Sequence, residues 1–233
     1  MPKLVLLPGM DGTGSLFDEF IAALPSSFEV VAARYPTDQY LTNTEMQDLV
    51  RAVCPHSEPF TLLAESFSTP LAIQYASTRP SNLKSLILCA GFATSPLDGW
   101  RRRLASLVTP VVLAVGLREH AIKAFLLDRD APPDLVRRVR RAISSISTEV
   151  LVGRVRDVLR CDVRVELAQI AAPILYLQAQ RDCLIGGTSF TVVKGIQPQT
   201  AVVVFDAPHL LLQSQPQRIA DAVVGFLHQS EGG

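Results

Sequence analysis

Six short apolar runs punctuate the chain, near Lys3 to Leu7, Glu29 to Ala33, Phe60 to Ala64, Ser85 to Cys89, Ile174 to Gln178 and Ala201 to Phe205. Near-continuous apolar runs of this length are what strands covered on both faces look like. Helical spacing of apolar residues marks Ser15 to Leu24, Thr44 to Val53, Ser66 to Ser77 and Pro216 to Gln229. Strand and helix in alternation predict an α/β fold with a mostly parallel central sheet, right-handed crossovers and helices on both faces.

Between the fourth and fifth runs the alternation stops. Residues 99–165 contain several helical stretches and no convincing strand, which predicts a helical cap insertion in a core made of residues 1–98 and 166–233. Charge sets the same segment apart: of 22 basic and 22 acidic residues, 14 and 7 fall within it, leaving 8 and 15 elsewhere, so the two parts should attract. Leu135, Val139, Ile143, Ile146 and Val150 recur at near-helical spacing, while Arg137, Arg138, Arg140 and Arg141 fall largely elsewhere. A basic amphipathic helix of this kind either binds membranes or partners or roofs a core with its arginines solvated or ion-paired, and the second reading is favoured. Arg101, Arg102 and Arg103, beside the only tryptophan, Trp100, read as a solvated helix start rather than an anion site.

Composition narrows the classes. At 233 residues, 48% hydrophobic and 19% charged, the chain can bury one sizeable core. A formal net charge of zero gives no case for nucleic-acid binding. No apolar stretch approaches a membrane span, so no stable membrane insertion is expected. Cys54, Cys89, Cys161 and Cys183 have no metal-ligand spacing and read as reduced thiols in a cytoplasmic protein, with Cys183 a packing residue; no metal is implied.

Chemistry concentrates where the apolar runs end. Phe60-Thr61-Leu62-Leu63-Ala64-Glu65-Ser66-Phe67-Ser68 carries a strand into a serine flanked two residues away by Ala64 and Ser68, where the usual nucleophile-elbow pattern is Gly-x-Ser-x-Gly. A tight strand-to-helix turn selects small side chains at those positions, and alanine and serine are the next smallest after glycine. Ser66 is therefore either a nucleophile or a simple helix N-cap. Glu65 beside it should face away from the hydroxyl. After the first run, Leu-Pro-Gly-Met-Asp-Gly-Thr-Gly brings Gly9, Gly12 and Gly14 into one loop. Their spacing misses both nucleotide-binding patterns; an arm of an oxyanion hole is the other use for such a loop. The fifth run empties into Arg181-Asp182 and the sixth into Ala207-Pro208-His209. Loops that leave the carboxyl ends of parallel strands share one edge, so Ser66, Asp182 and His209 should meet there. His56, His120 and His228 follow no strand, and Asp182 is favoured over Asp162 and Asp206 as the acid because it directly follows one.

Together the Leu-Pro-Gly-Met-Asp-Gly-Thr-Gly loop, the Ala-Glu-Ser-Phe-Ser elbow, Arg-Asp after the penultimate strand and Ala-Pro-His-Leu before the last helix resemble the α/β-hydrolase superfamily, in particular its small serine esterases with a compact helical cap. The resemblance spans nearly the whole chain. It implies Ser66 as nucleophile, His209 as general base then acid, Asp182 as the group that orients His209, and the backbone N–H groups of Met10 and Phe67 as the oxyanion hole, with no cofactor and a small-molecule ester as substrate. The loop has Pro8 before Gly9 where the family commonly has His-Gly, and the family's N-terminal antiparallel hairpin is missing. The expected activity is hydrolysis of short to medium acyl esters. Thioesterase, lactonase and acyltransferase chemistry use the same residues, and a non-catalytic ligand-binding protein is the reading from another class.

Overall fold

The computed structural model describes residues 2–97 and 119–231. Trp100 and Arg101 to Arg103 lie outside the described residues, as does the part of the expected 99–165 insertion that runs from 99 to 118.

Six strands, β1 (Lys3–Leu7), β2 (Glu29–Ala32), β3 (Phe60–Glu65), β4 (Leu83–Cys89), β5 (Ile174–Ala179) and β6 (Ala201–Phe205), form one sheet in the order β2-β1-β3-β4-β5-β6. Every neighbouring pair is parallel. Alternate side chains of each central strand feed opposite faces. Val5, Leu62, Leu86 and Tyr176 pack on one side under α2 (Asn43–Val53), α3 (Thr69–Ser77) and the helices after β4 and β5. Leu6, Leu63, Ile87 and Leu177 pack on the other under α1 (Asp18–Ala23) and the C-terminal helix. Burial on both faces is why the four central runs read as unbroken apolar sequence, whereas the edge strands β2 and β6 are partly exposed.

Between β4 and β5 the described residues form α4 (Glu119–Phe125), α5 (Pro133–Ser144), α6 (Thr148–Arg160) and α7 (Arg164–Gln169). The apolar stripe from Leu135 to Val150, expected on a single helix, is split between α5 and α6. Ser147 accepts from the Val150 amide and caps α6, starting a new helix inside the stripe. Leu135 and Val139 accordingly pack with Leu127 and Leu210, whereas Ile146 and Val150 pack near Met10 and Tyr40. Arg138 pairs with Glu19 of the core at 2.6 Å, as the charge imbalance suggests, but Arg181 of the core pairs with Asp128 of the intervening segment, the reverse sense. Both pairs are too exposed to contribute much.

Past β5, α8 (Gly187–Ile196) is a helix that the sequence pattern does not announce, because Gly187, Thr188, Thr191, Val192 and Val193 are weak helix formers. The chain closes with α9 (Leu211–Ser214) and α10 (Pro216–Glu231). Cys183, expected to pack, is exposed at the start of the β5–α8 loop.

The topology places the chemistry. The chain leaves β1 for β2 on one side and returns to β3 on the other, and in open parallel sheets such a switch point opens a crevice at the carboxyl ends of the strands. The β1 loop and the β3 turn flank that crevice. Leu63 sits fully buried in the strand that delivers the turn. Truncating it (Leu63→Ala) should cost about 2–5 kcal/mol. In urea this would show as a lower midpoint at unchanged slope; a cost well under about 1 kcal/mol would mean that β3 is not packed as described.

Candidate active site

Ser66 follows β3 directly and has φ 47, a left-handed value that a non-glycine residue adopts only under constraint. The turn continues as one 3-10 turn, Ser66–Ser68, into α3. It is held by the Thr69 hydroxyl, which donates to the Ser66 carbonyl at 2.8 Å, and by Pro70 in the first turn of α3. The strain lifts the hydroxyl out of the strand. Its Oγ lies 2.9 Å from His209 Nε2, and His209 Nδ1 lies 2.7 Å from Asp182 Oδ2. Asp182 Oδ1 accepts from the Leu184 and Ile185 amides, both at 2.8 Å, so one carboxylate oxygen anchors the loop and the other faces the imidazole. The His209 and Asp182 side chains are 4% and 2% exposed, which keeps water from competing for their bond. Their loops are also joined through the backbone, Arg181 N donating to Ala207 O at 3.0 Å. Leu210 N donates to Leu126 O at 3.0 Å and ties the imidazole loop to the segment after α4.

The loop after β1 is pinned from every side. Ser68, fully buried at the second replaced glycine position, donates to the Pro8 carbonyl and shares a 2.8 Å hydrogen bond with Tyr35. Gly12 N donates to Gly9 O, Tyr35 N donates to Gly12 O, and Arg154 donates to the Met10 and Asp11 carbonyls. All five carbonyls from Pro8 to Gly12 thereby accept a hydrogen bond, and the Met10 amide has no acceptor among the described residues. Phe67 N belongs to the first turn of a helix, where amides lack intrahelical partners.

Beneath this loop lies Glu65, 1% exposed. Its Oε2 accepts from Gln213 Nε2 at 3.3 Å and lies against Gly9. Burial, reinforced by the negative charge of Asp11, pushes the carboxyl up to about 7, although Gln213, His209 and the Gly9 amide oppose the shift. Among the described residues Glu65 Oε1 and Gln213 Oε1 have no hydrogen-bond partner, and protonation of Glu65 would turn one of these acceptors into a donor.

The other candidates do not converge. His56 and His228 are exposed, Asp206 pairs with Arg181, and Asp162 binds Arg164 through both carboxylate oxygens. A cavity of about 250 Å³ behind Phe67, lined by Met46, Leu71, Phe92 and Val158 among others, includes none of Ser66, Asp182 and His209. Among the described residues no group of three or more His, Cys, Asp or Glu could hold a metal ion. Three residues of the site were not singled out by sequence reasoning for what they do here: Ser68 through its hydroxyl, Glu65 as a buried acid, and Arg154. Only Arg154 left a signal, as an arginine on the buried stripe of α6 between Val150 and Val158.

A parallel sheet carrying a serine turn, an acid loop and a histidine loop on one edge defines an α/β hydrolase fold. A model of the alpha/beta hydrolase family matches residues 4–222, and the chain belongs to that family. Solved structures agree on the fold. An enol-lactonase from Burkholderia xenovorans LB400 superposes with a TM-score of 0.80 at 16% identity, over 97% of this chain and 91% of that one. A carboxylesterase structure from the thaumarchaeon Nitrososphaera gargenis gives 0.80 at 17% identity, covering 99% and 91%. A thermophilic esterase from Thermogutta terrifontis, bound to malate, gives 0.79 at 21% identity, covering 99% and 90%. No curated protein matches by sequence.

The Glu65 carboxyl gives a pH signature with a definite sign. Its folded pKa, about 7, is above the unfolded value near 4.5, so its stabilisation is complete below the unfolded value and is lost as pH rises through 7. Urea melts at pH 5 and pH 8 should show the wild type losing about 3 kcal/mol relative to Glu65→Gln across that window. A difference that is flat with pH would show that the carboxyl titrates normally.

Proposed function

We propose that the chain is a serine hydrolase that cleaves carboxylic esters of short to medium acyl chains through an acyl-enzyme. The observation that carries this reading is the Ser66–His209–Asp182 relay, with contacts of 2.9 and 2.7 Å. Membership of the alpha/beta hydrolase family supports hydrolase chemistry, and the esterases and lactonase among the structural neighbours agree with acyl transfer. A serine at the turn, rather than an aspartate, excludes the carboxylate-nucleophile reactions that the fold also hosts.

The mechanism follows from the donors and acceptors. His209 Nε2 takes the Ser66 proton as Oγ attacks the ester carbonyl carbon, while Nδ1–H donates to Asp182, which stabilises the imidazolium. The carbonyl oxygen becomes an oxyanion and receives the Met10 and Phe67 amides. Collapse breaks the bond to the alcohol oxygen, which leaves with the proton from His209. Water, deprotonated by the same nitrogen, then attacks the acyl carbon; the bond to Ser66 Oγ breaks, Oγ takes the proton back from His209, and the carboxylic acid leaves. The segment roofing the core between β4 and β5 acts as the compact helical cap, and its short aliphatic faces favour acyl groups of modest length. Among the described residues no helix is long and apolar enough to cross a membrane. A cytoplasmic setting, which suits four scattered thiols, completes the reading.

Ser66→Ala and His209→Ala should each lower turnover by about four to six orders of magnitude, and the double variant should lose little more, because the members of a triad act as a unit. Initial rates on p-nitrophenyl esters check this. Wild-type turnover in either single variant would refute the assignment. Across an acyl series from C2 to C16, the wild type should prefer chains shorter than C12, and a preference for C12 or longer would refute the acyl-length reading.

A further inference from the structure

Arg154 sits where α6 meets the loop after β1, and it is 3% exposed. A buried guanidinium normally has a carboxylate against it. Here the acceptors are backbone carbonyls: Nη1 donates to Met10 O at 2.8 Å and to Asp11 O at 3.2 Å, and Nη2 donates to Pro36 O at 2.8 Å. The Asp11 carboxylate is near enough to favour the charged form, but it is already bound to the Thr13 amide and hydroxyl. The guanidinium carbon lies 5.8 Å from the centre of the Tyr35 ring and 5.7 Å from that of Phe67, within cation–π range of both. Gly12 makes room for it, since a Cβ there would fall 2.7 Å from Nη1.

Arg154 holds two residues whose amides matter to an oxyanion. Met10 and Phe67 are the residues whose amides face the reacting carbonyl in the reading above, and one rigid, planar cation touches the Met10 carbonyl and the Phe67 ring together. A glycine-containing loop has little rigidity of its own. A fixed set of donors at the position of developing charge is worth most when it does not have to reorganise. We propose that Arg154 is a positioning residue for the oxyanion hole, fixing the Met10–Asp11 peptide, the next one along from the Met10 amide, relative to Phe67 from a helix outside the sheet. The proposal rests on the hydrolase reading. It makes the segment between β4 and β5 a participant in catalysis through the loop it grips.

The test compares Arg154→Met and Arg154→Lys with Leu159→Ala, a buried residue of the same helix that makes none of these bonds. Ester hydrolysis gives kcat and KM. A boronic acid, whose tetrahedral adduct on Ser66 places an oxygen in the hole, gives an affinity for the transition-state shape. Arg154→Met should lose about 100-fold in kcat, the scale of a misplacement near 1 Å. KM should change by less than about threefold, and boronate affinity should fall in proportion to kcat/KM. Arg154→Lys should fall between Arg154→Met and wild type, because an ammonium cannot span three carbonyls as the planar fork does. Leu159→Ala should lower the melting temperature while keeping kcat within about threefold of wild type. Should Arg154→Met fail to fold, the same readouts on Arg154→Lys decide. Wild-type kcat in the arginine variants, a loss confined to KM, or an equal loss in Leu159→Ala would overturn the proposal. If instead Ser66→Ala keeps wild-type turnover, the hydrolase reading fails and this proposal falls with it; an inactive Ser66→Ala beside a fully active Arg154→Met removes the role of Arg154 alone.

Discussion

The account depends on one imidazole reaching two partners at once. The His209 ring spans a hydroxyl on the β3 turn and a carboxylate on the β5 loop, and it can do so only because parallel strands release all three loops on the same edge of the sheet. The sheet order sets the lateral spacing, with β4 between the serine strand and the acid strand. The left-handed backbone at Ser66 sets the height of the hydroxyl above the sheet. The strain of that turn is offset by what surrounds it: β3 is buried along its whole length, and Thr69 locks the first turn of α3.

A second constraint governs the loop after β1. Buried carbonyls must find donors, and this loop recruits them from the turn after β3, from its own backbone and from the segment after β4. The replacement of the usual glycine by Ser68 gains meaning from this. A glycine would satisfy the steric demand of the turn but could not donate to Pro8. The same logic explains a buried arginine with carbonyl partners and a buried glutamate held against Gly9 and Gln213. Stability of the loop and readiness of its free amide are thus two consequences of one hydrogen-bond pattern.

Much of the framework was legible in the sequence because burial on both faces leaves an unmistakable trace. Strands such as Ile174–Ala179 read as apolar runs, and Asp182 and His209 drew attention by following such runs immediately. What escaped shares a different physics. α8 is built from weak helix formers and is held by packing that local propensity does not report. The break between α5 and α6 rests on one serine cap inside a continuous stripe, and periodicity cannot see it. Cys183 was expected to pack as a small apolar side chain, yet the loop turns it outward. Glu65, Ser68 and Arg154 act on partners brought close only by the fold, several of them backbone atoms, which carry no side-chain identity for a pattern to record.

The most direct measurement is reaction with a fluorophosphonate followed by peptide mapping, in the wild type and in His209→Ala. An activated serine within reach of the imidazole predicts a single adduct on Ser66 that forms rapidly in the wild type and is lost or greatly slowed in the variant. Label on another residue, or equal labelling of Ser66 without the imidazole, would contradict the account.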